Sequence, residues 1–491
     1  MLRFNHARAS LLLVLVPAGY WISACAAALG PGYSIEKQEL RVQFVPAAEP
    51  MILVDATYQL RNSGNQPLSS LELRLPGRRR FQYSDPHIEW DGTTLPFQVA
   101  PANQRNTLLP LPQAWKVSAT HNLHLSVQYQ GANAGESNLS FTADAFFLPA
   151  QGWSPELLPA RGVFATGGVP PKTWSLVLQV PDDFLVHLSG RQLKTSHSHR
   201  QQTIRAILQP QDQYPFVIAG RFSSARLTAG PETVNVWTHA AQDVGALREP
   251  ADALVRAIQA YDSMFGSREK ESHQLWIVEC PAVAGCFSSA VSNYSRLVNE
   301  STDKISAEMA SADTVMVDLT RGTPEIAAAA APSLASSWLG YGRNPGFYDQ
   351  TPPLAALPAF AASRGREAVQ GPQVRAEIIR RVLRAVPPQS DPRAIEADSV
   401  TRAKSLLFFY ALQDRYGPDV FNRALKHMLY ARRGGGFNLD DLIAAFEQET
   451  HENVTQFVRA WMKHPGVPNE FRARYENSSA STITTSQETT Q

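Results

Sequence analysis

Residues 314–340 read TVMVDLTRGTPEIAAAAAPSLASSWLG, and the fold turns on this stretch. Thr314 to Leu319 is a short apolar run, which predicts a buried strand. Glu325 to Leu339 is alanine-rich, with strong helix propensity interrupted by Pro332. A buried strand running straight into a helix belongs to an α/β or α+β core. Upstream, Leu254, Ile258, Tyr261 and Phe265 recur at helical spacing and Gly266 stops that helix. Leu275 to Val278 then reads as a second buried strand. Downstream, Ala403, Leu407 and Tyr410 share one helix face. Pro418 suits a first-turn position, and Phe421, Leu425, Met428 and Leu429 share the next face. Gly434, Gly435 and Gly436 break that helix. Asn438 caps another, carrying Leu439, Leu442, Ile443 and Phe446. Val454, Phe457, Val458 and Trp461 form a last stripe.

The first half has a different texture. From Tyr33 to about Arg221 short alternating runs put apolar residues on one face: Glu39 to Phe44, Ile52 to Arg61, Leu71 to Leu75, Leu123 to Tyr129 and Ser175 to Val180. Turn signals separate them at Asn62-Ser63-Gly64-Asn65, Asp91-Gly92, Gly131-Ala132-Asn133 and Pro181-Asp182-Asp183. The expectation is a multidomain α+β chain with a large antiparallel β domain at residues 26–228, an α/β core at 229–395 and a helical part at 396–474. A Ser/Thr/Gln-rich tail at 475–491 is expected to be disordered.

The chain has 491 residues, too many for one ordinary core. With 45 Lys+Arg against 44 Asp+Glu, net charge +1, nothing favours nucleic acid or an acidic membrane surface. Residues 1–25 read as a lipoprotein-type signal. Arg3 and Arg8 precede an apolar stretch that starts at Ser10 and is broken by Pro17 and Gly19. It ends in Ile22-Ser23-Ala24-Cys25, which resembles a bacterial lipobox with Cys25 as the lipidated residue. The expected location is therefore the periplasmic side of the bacterial cell envelope, held to the membrane through a lipid anchor alone. Cleavage near Ala26-Ala27-Ala28, giving a soluble secreted protein, is the other reading. Cys280 and Cys286 remain. A local disulfide and two small buried thiols both fit them.

The order of β domain, α/β core and helical end is similar to that of the M1-family (gluzincin) aminopeptidases. Asn62 to Leu68, Gly152-Trp153-Ser154-Pro155, Val180-Pro181 and Ser189-Gly190 resemble that family's N-terminal saddle. Tyr261 to Gly266 followed by Leu275 to Pro281 looks like its first core helix and strand. Asp318 to Gly340 matches its strand and zinc-motif helix. Lys404, Phe421, Phe457, Trp461, Gly466 and Pro468 sit as in its C-terminal helices. The likeness covers roughly Tyr33 to Arg474 and implies an N-terminal β saddle, a thermolysin-like core and a helical end.

The family's chemistry needs H-E-x-x-H on a helix, two imidazoles on one face and a glutamate that activates the metal-bound water. The family string HELAHQWFG aligns with Pro332 to Gly340. Trp338 and Gly340 match, but both histidine positions are lost, to Pro332 and Ser336, and the glutamate position is Ser333. No histidine stands between His273 and His427, and no glutamate between Glu325 and Glu367. The third-ligand element E-G-F-A corresponds to Pro358-Ala359-Phe360-Ala361, or by strict spacing to Ala355. The amine-binding G-x-M-E-N motif faces Ala284-Gly285-Cys286-Phe287-Ser288, which has no carboxylate. In Y-x-K-G the tyrosine is replaced by Arg402 and only Lys404 fits. Elsewhere, His451-Glu452 begins like the zinc motif but ends in Thr455. His197 and His199 fall in a polar turn, and His121 and His124 have neither helical nor alternate-strand spacing. Gly-x-Ser-x-Gly and Walker loops are absent, and a strand separates His273 from either cysteine.

The expected cofactor is therefore none, the zinc of the family being lost. The expected role is a pseudoenzyme at the cell envelope that binds a peptide or an envelope protein, or acts as a scaffold. Its old cleft would be lined by Trp338, Tyr341, Phe347, Tyr348 and Lys404, the aromatics alternatively packing the core. A metallo-aminopeptidase with non-standard ligands and an accessory subunit of an envelope transporter are the rival readings.

Overall fold

The computed structural model describes residues 32–75, 82–83, 86–97, 106–130, 140–148, 153–160, 168–208, 216–239, 243–267, 274–280, 308–311, 314–317, 319, 322–339, 353–386, 398–431 and 437–476. The first half is β throughout. It runs as β1 (Ser34–Val45), β2 (Met51–Arg61), β3 (Leu68–Arg74), β4 (Gln82–Tyr83), β5 (His87–Trp90), β6 (Thr93–Thr94), β7 (Asn106–Trp115) and β8 (Thr120–Gln130). It continues as β9 (Ser140–Phe141), β10 (Ala145–Leu148), β11 (Glu156–Leu158), β12 (Trp174–Pro181), β13 (Leu185–Leu188), β14 (Arg191–Ser198), β15 (Gln201–Leu208) and β16 (Val217–Gly220). The long strands alternate as the sequence predicts. In β2, Ile52, Val54, Ala56, Tyr58 and Leu60 are buried and their neighbours are not.

One sheet carries the order β14-β15-β12-β1-β2-β8-β5-β6, with β4 also paired to β8. Two smaller sheets, β11-β3-β7 and β13-β16-β10-β9, stand beside it. The expectation of a wholly antiparallel domain is corrected at one place: β1 runs parallel to β12, Gln38 opposite Trp174 through Gln43 opposite Gln179. A parallel pair needs a long crossover, and here the whole run from β2 to β11 supplies it.

Side chains from three places on this sheet hold a single segment in place. Tyr33, just before β1, donates its hydroxyl to the Leu158 carbonyl at 2.5 Å. Tyr58 of β2 donates to Pro155 at 2.8 Å, and Tyr129 of β8 to Trp153 at 2.5 Å. All three rings are buried, and so is Trp153. The Trp-Ser-Pro string thus reads as backbone pinned by tyrosines, each buried hydroxyl finding the acceptor it requires. The Asn62 turn is built likewise. Asn62, fully buried, donates Nδ2 to the carbonyls of Gln66 (3.0 Å) and Trp115 (2.9 Å), while its Oδ1 accepts from the Gly64 amide at 3.0 Å.

The second half is a five-stranded mixed sheet with helices. Its strands are β17 (Ser223–Ala229), β18 (Glu232–Thr238), β19 (Gln274–Glu279), β20 (Glu308–Ser311) and β21 (Thr314–Val317), in the order β17-β18-β19-β21-β20. β18, β19 and β21 are parallel, and β17 and β20 close the edges antiparallel. The helices are α1 (Val244–Phe265), α2 (Thr323–Leu339), α3 (Leu357–Gln370), α4 (Gln373–Arg384), α5 (Asp398–Ala431), α6 (Leu439–Thr450), α7 (Val454–Lys463) and α8 (Asn469–Glu476). Val234, Val236, Leu275, Ile277, Val315 and Val317 face the helical core. The opposite faces, through Trp237, Val278 and Met316, cluster with Phe147, Phe216 and Ile218 of the first half. The period of two splits each strand between the two layers. His187 of β13 joins them too, stacked on Trp276 with centroids 4.2 Å apart and hydrogen-bonded to the buried Thr314 hydroxyl at 2.8 Å.

The helices explain themselves locally. Asp243 caps α1 by accepting from the Gly245 amide at 3.0 Å, and Gly266 ends it at φ 96°. α5 is two helices meeting at Gly417, whose φ of 81° and ψ of 159° only glycine adopts without strain, with Pro418 opening the second. Asn438 and Asp441 form a capping box at the start of α6. α3 and α4 were not expected from the sequence. The segment 432–436, where three glycines were expected to break a helix, and the tail from 477 lie outside the described residues.

Candidate active-site cleft

Open α/β sheets place their functional crevice outside the carboxyl ends of the parallel strands. Here those ends are Thr238 with His239, Glu279 with Cys280, and Val317. They are stitched together. The His239 amide donates to Glu279 Oε2 at 2.7 Å, and the Cys280 amide donates to the Val317 carbonyl at 3.0 Å. His239 Nε2 lies 2.9 Å from the Cys280 carbonyl. A carbonyl only accepts, so Nε2 carries the proton and Nδ1 is the acceptor nitrogen. Sequence reasoning passed over His239 and Glu279. The signal was available: each directly follows, or ends, a buried β run on a parallel strand.

Behind this edge lie the helices that the sequence assigns to the metal site. α2 runs unbroken from Thr323 to Leu339, so Pro332 does not end it. Its backbone is described through Pro332, Ser333 and Ser336, while their side chains lie outside the described set. α2 packs on both α1 and α3. The three meet at Tyr261, which is buried and donates its hydroxyl to the Ala331 carbonyl at 3.0 Å. Gly365 of α3 faces the same hydroxyl, and a Cβ there would lie 2.1 Å from it. Alanines and a glycine on α2 and α3 let the helices approach this closely.

Two of the residues expected to line the cleft, Trp338 and Lys404, lie among the described residues. Trp338 packs on α1 against Tyr261 and Phe265 and donates its indole N–H to the Gly266 carbonyl at 2.8 Å. This is the core-packing alternative. Lys404 is 4% exposed, with its ammonium 3.0 Å from the Met462 carbonyl and 2.5 Å from that of His464. These carbonyls end α7, where a cation meets the negative end of the helix. Burial lowers the Lys404 pKa. Cys280 is buried and disulfide-bonded. Tyr341, Phe347, Tyr348, Cys25 and Cys286 lie outside the described residues. Among the described residues, no three His, Cys, Asp or Glu side chains stand close enough together to hold a metal ion, and no helix is long and apolar enough to cross a membrane.

The whole architecture superposes on solved structures. An M1 zinc metallopeptidase from Deinococcus radiodurans matches over 89% of this chain and 95% of its own, with TM-score 0.54 and 16% identity. A mutant of that enzyme bound to a Tyr-Ser-Ala substrate matches over the same shares at TM-score 0.55 and 16% identity. The fold is that of an M1 zinc metallopeptidase. No family profile matches the chain, and no curated protein matches it in sequence.

By the sequence alignment with the family string, α2 would be the helix that presents the zinc ligands. The residues there do not fit the ion. Proline offers no donor atom, and neutral serine hydroxyls are not among the thiolate, imidazole and carboxylate ligands that zinc takes. No histidine stands from 274 to 426, so α2, α3 and α4 offer no imidazole.

Proposed function

We propose that this chain is a catalytically inactive M1 peptidase-like lipoprotein of the bacterial envelope, whose cleft binds a peptide or a segment of an envelope protein. Its β half serves as the saddle for that cleft, and Cys25 carries the lipid. The observation that carries this reading is the donor set on α2, with Pro332, Ser333 and Ser336 in the places of the two histidines and the glutamate. Without a metal-activated water there is nothing to attack a peptide bond, and the fold keeps only its capacity to bind. At the carboxyl edge, Glu279 supplies a carboxylate and His239 an imidazole nitrogen free of the Cys280 carbonyl. Both suit the charged amine and amide groups of a peptide.

The expected result with purified protein is no hydrolysis of aminoacyl reporters, with or without added zinc, while unmodified peptides bind. Glu279→Gln is expected to weaken that binding about tenfold, the scale of one charge-assisted hydrogen bond. Zinc-dependent turnover that disappears in Ser333→Ala would overturn the reading. In cells, Cys25→Ser is expected to move the protein from the membrane fraction to the soluble one. Unchanged membrane association would remove the lipid anchor from the account.

A further inference from the structure

We propose that the hairpin of β14 and β15 is a docking edge for a partner protein, taking an extended segment rich in acidic residues that adds as a further strand beside β14. The hairpin shares no residue with the carboxyl edge of the core sheet, and its role does not depend on the function assigned to that edge.

The case begins with charge. Over the whole chain Lys+Arg and Asp+Glu balance at 45 and 44, yet residues 184–211 contain Arg191, Lys194, Arg200 and Arg205 and no Asp or Glu. All four cations are exposed, and none is paired with a carboxylate among the described residues. Lys194 stands directly opposite Arg205 in the antiparallel pair. Two like charges thus share one face of the sheet at a position where they repel. The register carries this face inward through β12 without meeting an acid: Arg205 is opposite Val177, and Ile207 is opposite Ser175. Across the strands the first carboxylate reached is Glu39 of β1, opposite Ser175. Arg41 already holds it at 2.8 Å.

Backbone and apolar surface at the same place select the form of the partner. Among the described strands β14 ends the sheet, so one of its edges presents unpaired N–H and C=O groups. Leu193 is 51% exposed at the bulge between Gln192 and Lys194, and Ile207 of β15 is 39% exposed. Such an edge accepts an added strand, in which main-chain hydrogen bonds supply affinity and side chains choose the partner. A second copy of this chain is a poor occupant. Pairing β14 with itself would bring together two cationic hairpins with no carboxylate in either. A segment with carboxylates on alternate residues sets them all on one face. Placed opposite Lys194, they relieve its repulsion with Arg205. The bulge and the lysine thus oppose self-pairing and admit an acidic strand.

The test uses the full chain and a fluorescent, end-blocked peptide of five Thr-Glu repeats, with a peptide of five Thr-Lys repeats as its counterpart. Anisotropy at low salt is expected to show the acidic peptide bound about tenfold more tightly than the basic one, or better. The double variant Lys194→Glu, Arg205→Glu is expected to reverse that preference, with a thermal midpoint near wild type because both side chains are exposed. N-methylation of the acidic peptide at every threonine, or at every glutamate, keeps its charge and removes the amides along one edge. One of these two forms is expected to lose about tenfold in affinity. Glu279→Gln is expected to leave binding of the acidic peptide unchanged. No binding to wild type, an unaltered preference in the charge-reversed variant, or equal affinity of the methylated and unmodified peptides would overturn the proposal. So would loss of binding in Glu279→Gln alone, or binding to phosphatidylglycerol vesicles in place of the peptide.

Discussion

Raising the pH above about 11 is expected to unfold this protein, with the buried tyrosines ionising only as the core that holds them opens. Burial pushes the hydroxyls of Tyr33, Tyr58 and Tyr261 far above the ordinary tyrosine value, and that of Tyr410 up to about 12. All four rings are at most 1% exposed. The sign follows from proton counts. Above pH 10 the unfolded chain loses these protons and the folded chain keeps them. The folded state then binds more protons, and stability falls as pH rises. The contribution is complete below pH 10 and is lost above it. Each group costs about 1.4 kcal/mol per pH unit while it stays protonated in the fold. Two units above pH 10, the two groups in each core together reach roughly 5 kcal/mol, comparable with the stability of a marginal domain. Absorbance at 295 nm and circular dichroism should therefore change together. Ionisation of these tyrosines near pH 10 in a protein that keeps its folded signal would contradict the hydrogen-bonded packing.

Gly365→Ala is expected to destabilise the helical core by about 2–4 kcal/mol, the cost of forcing a methyl group into a filled site. An added Cβ would meet the Tyr261 hydroxyl at 2.1 Å and Ala331 Cβ at 3.3 Å. The tyrosine has little freedom to retreat, because its ring is buried and its hydroxyl is held by the Ala331 carbonyl. Tyr261→Phe alone should cost about 1–2 kcal/mol for the lost buried hydrogen bond. In the double variant the nearest clash is gone, so the combined loss should be smaller than the sum of the single losses. Chemical denaturation of the four proteins measures this, and strict additivity would mean that the helices do not meet at Tyr261 as described.

Both predictions rest on contacts that a sequence shows unevenly. The β half was legible because alternation is a local property, and Asn62, Asp91-Gly92 and Pro181-Asp182 punctuate it with turn chemistry. The parallel pairing of β1 with β12 was not, since nothing local records which distant strand will be a neighbour. α3 and α4 were missed although Val374, Ile378, Ile379, Val382 and Leu383 repeat at helical spacing. Trp338 and Lys404 show a related limit: the direction of a side chain follows from what packs around it. The Gly266 carbonyl takes the indole N–H, and the end of α7 takes the ammonium. His239 and Glu279 belong to no motif, and only the register of three parallel strands brings them together.

The likeness to the Deinococcus metallopeptidase, at 16% identity, speaks for the frame. What the frame does here depends on the donor atoms along α2. Metal analysis of the purified, lipid-free protein after equilibration with zinc, followed by gel filtration, tests that directly. The account predicts well under one-tenth of an equivalent of zinc per chain. One equivalent retained in wild type and released in Ser333→Ala or Ser336→Ala would contradict it.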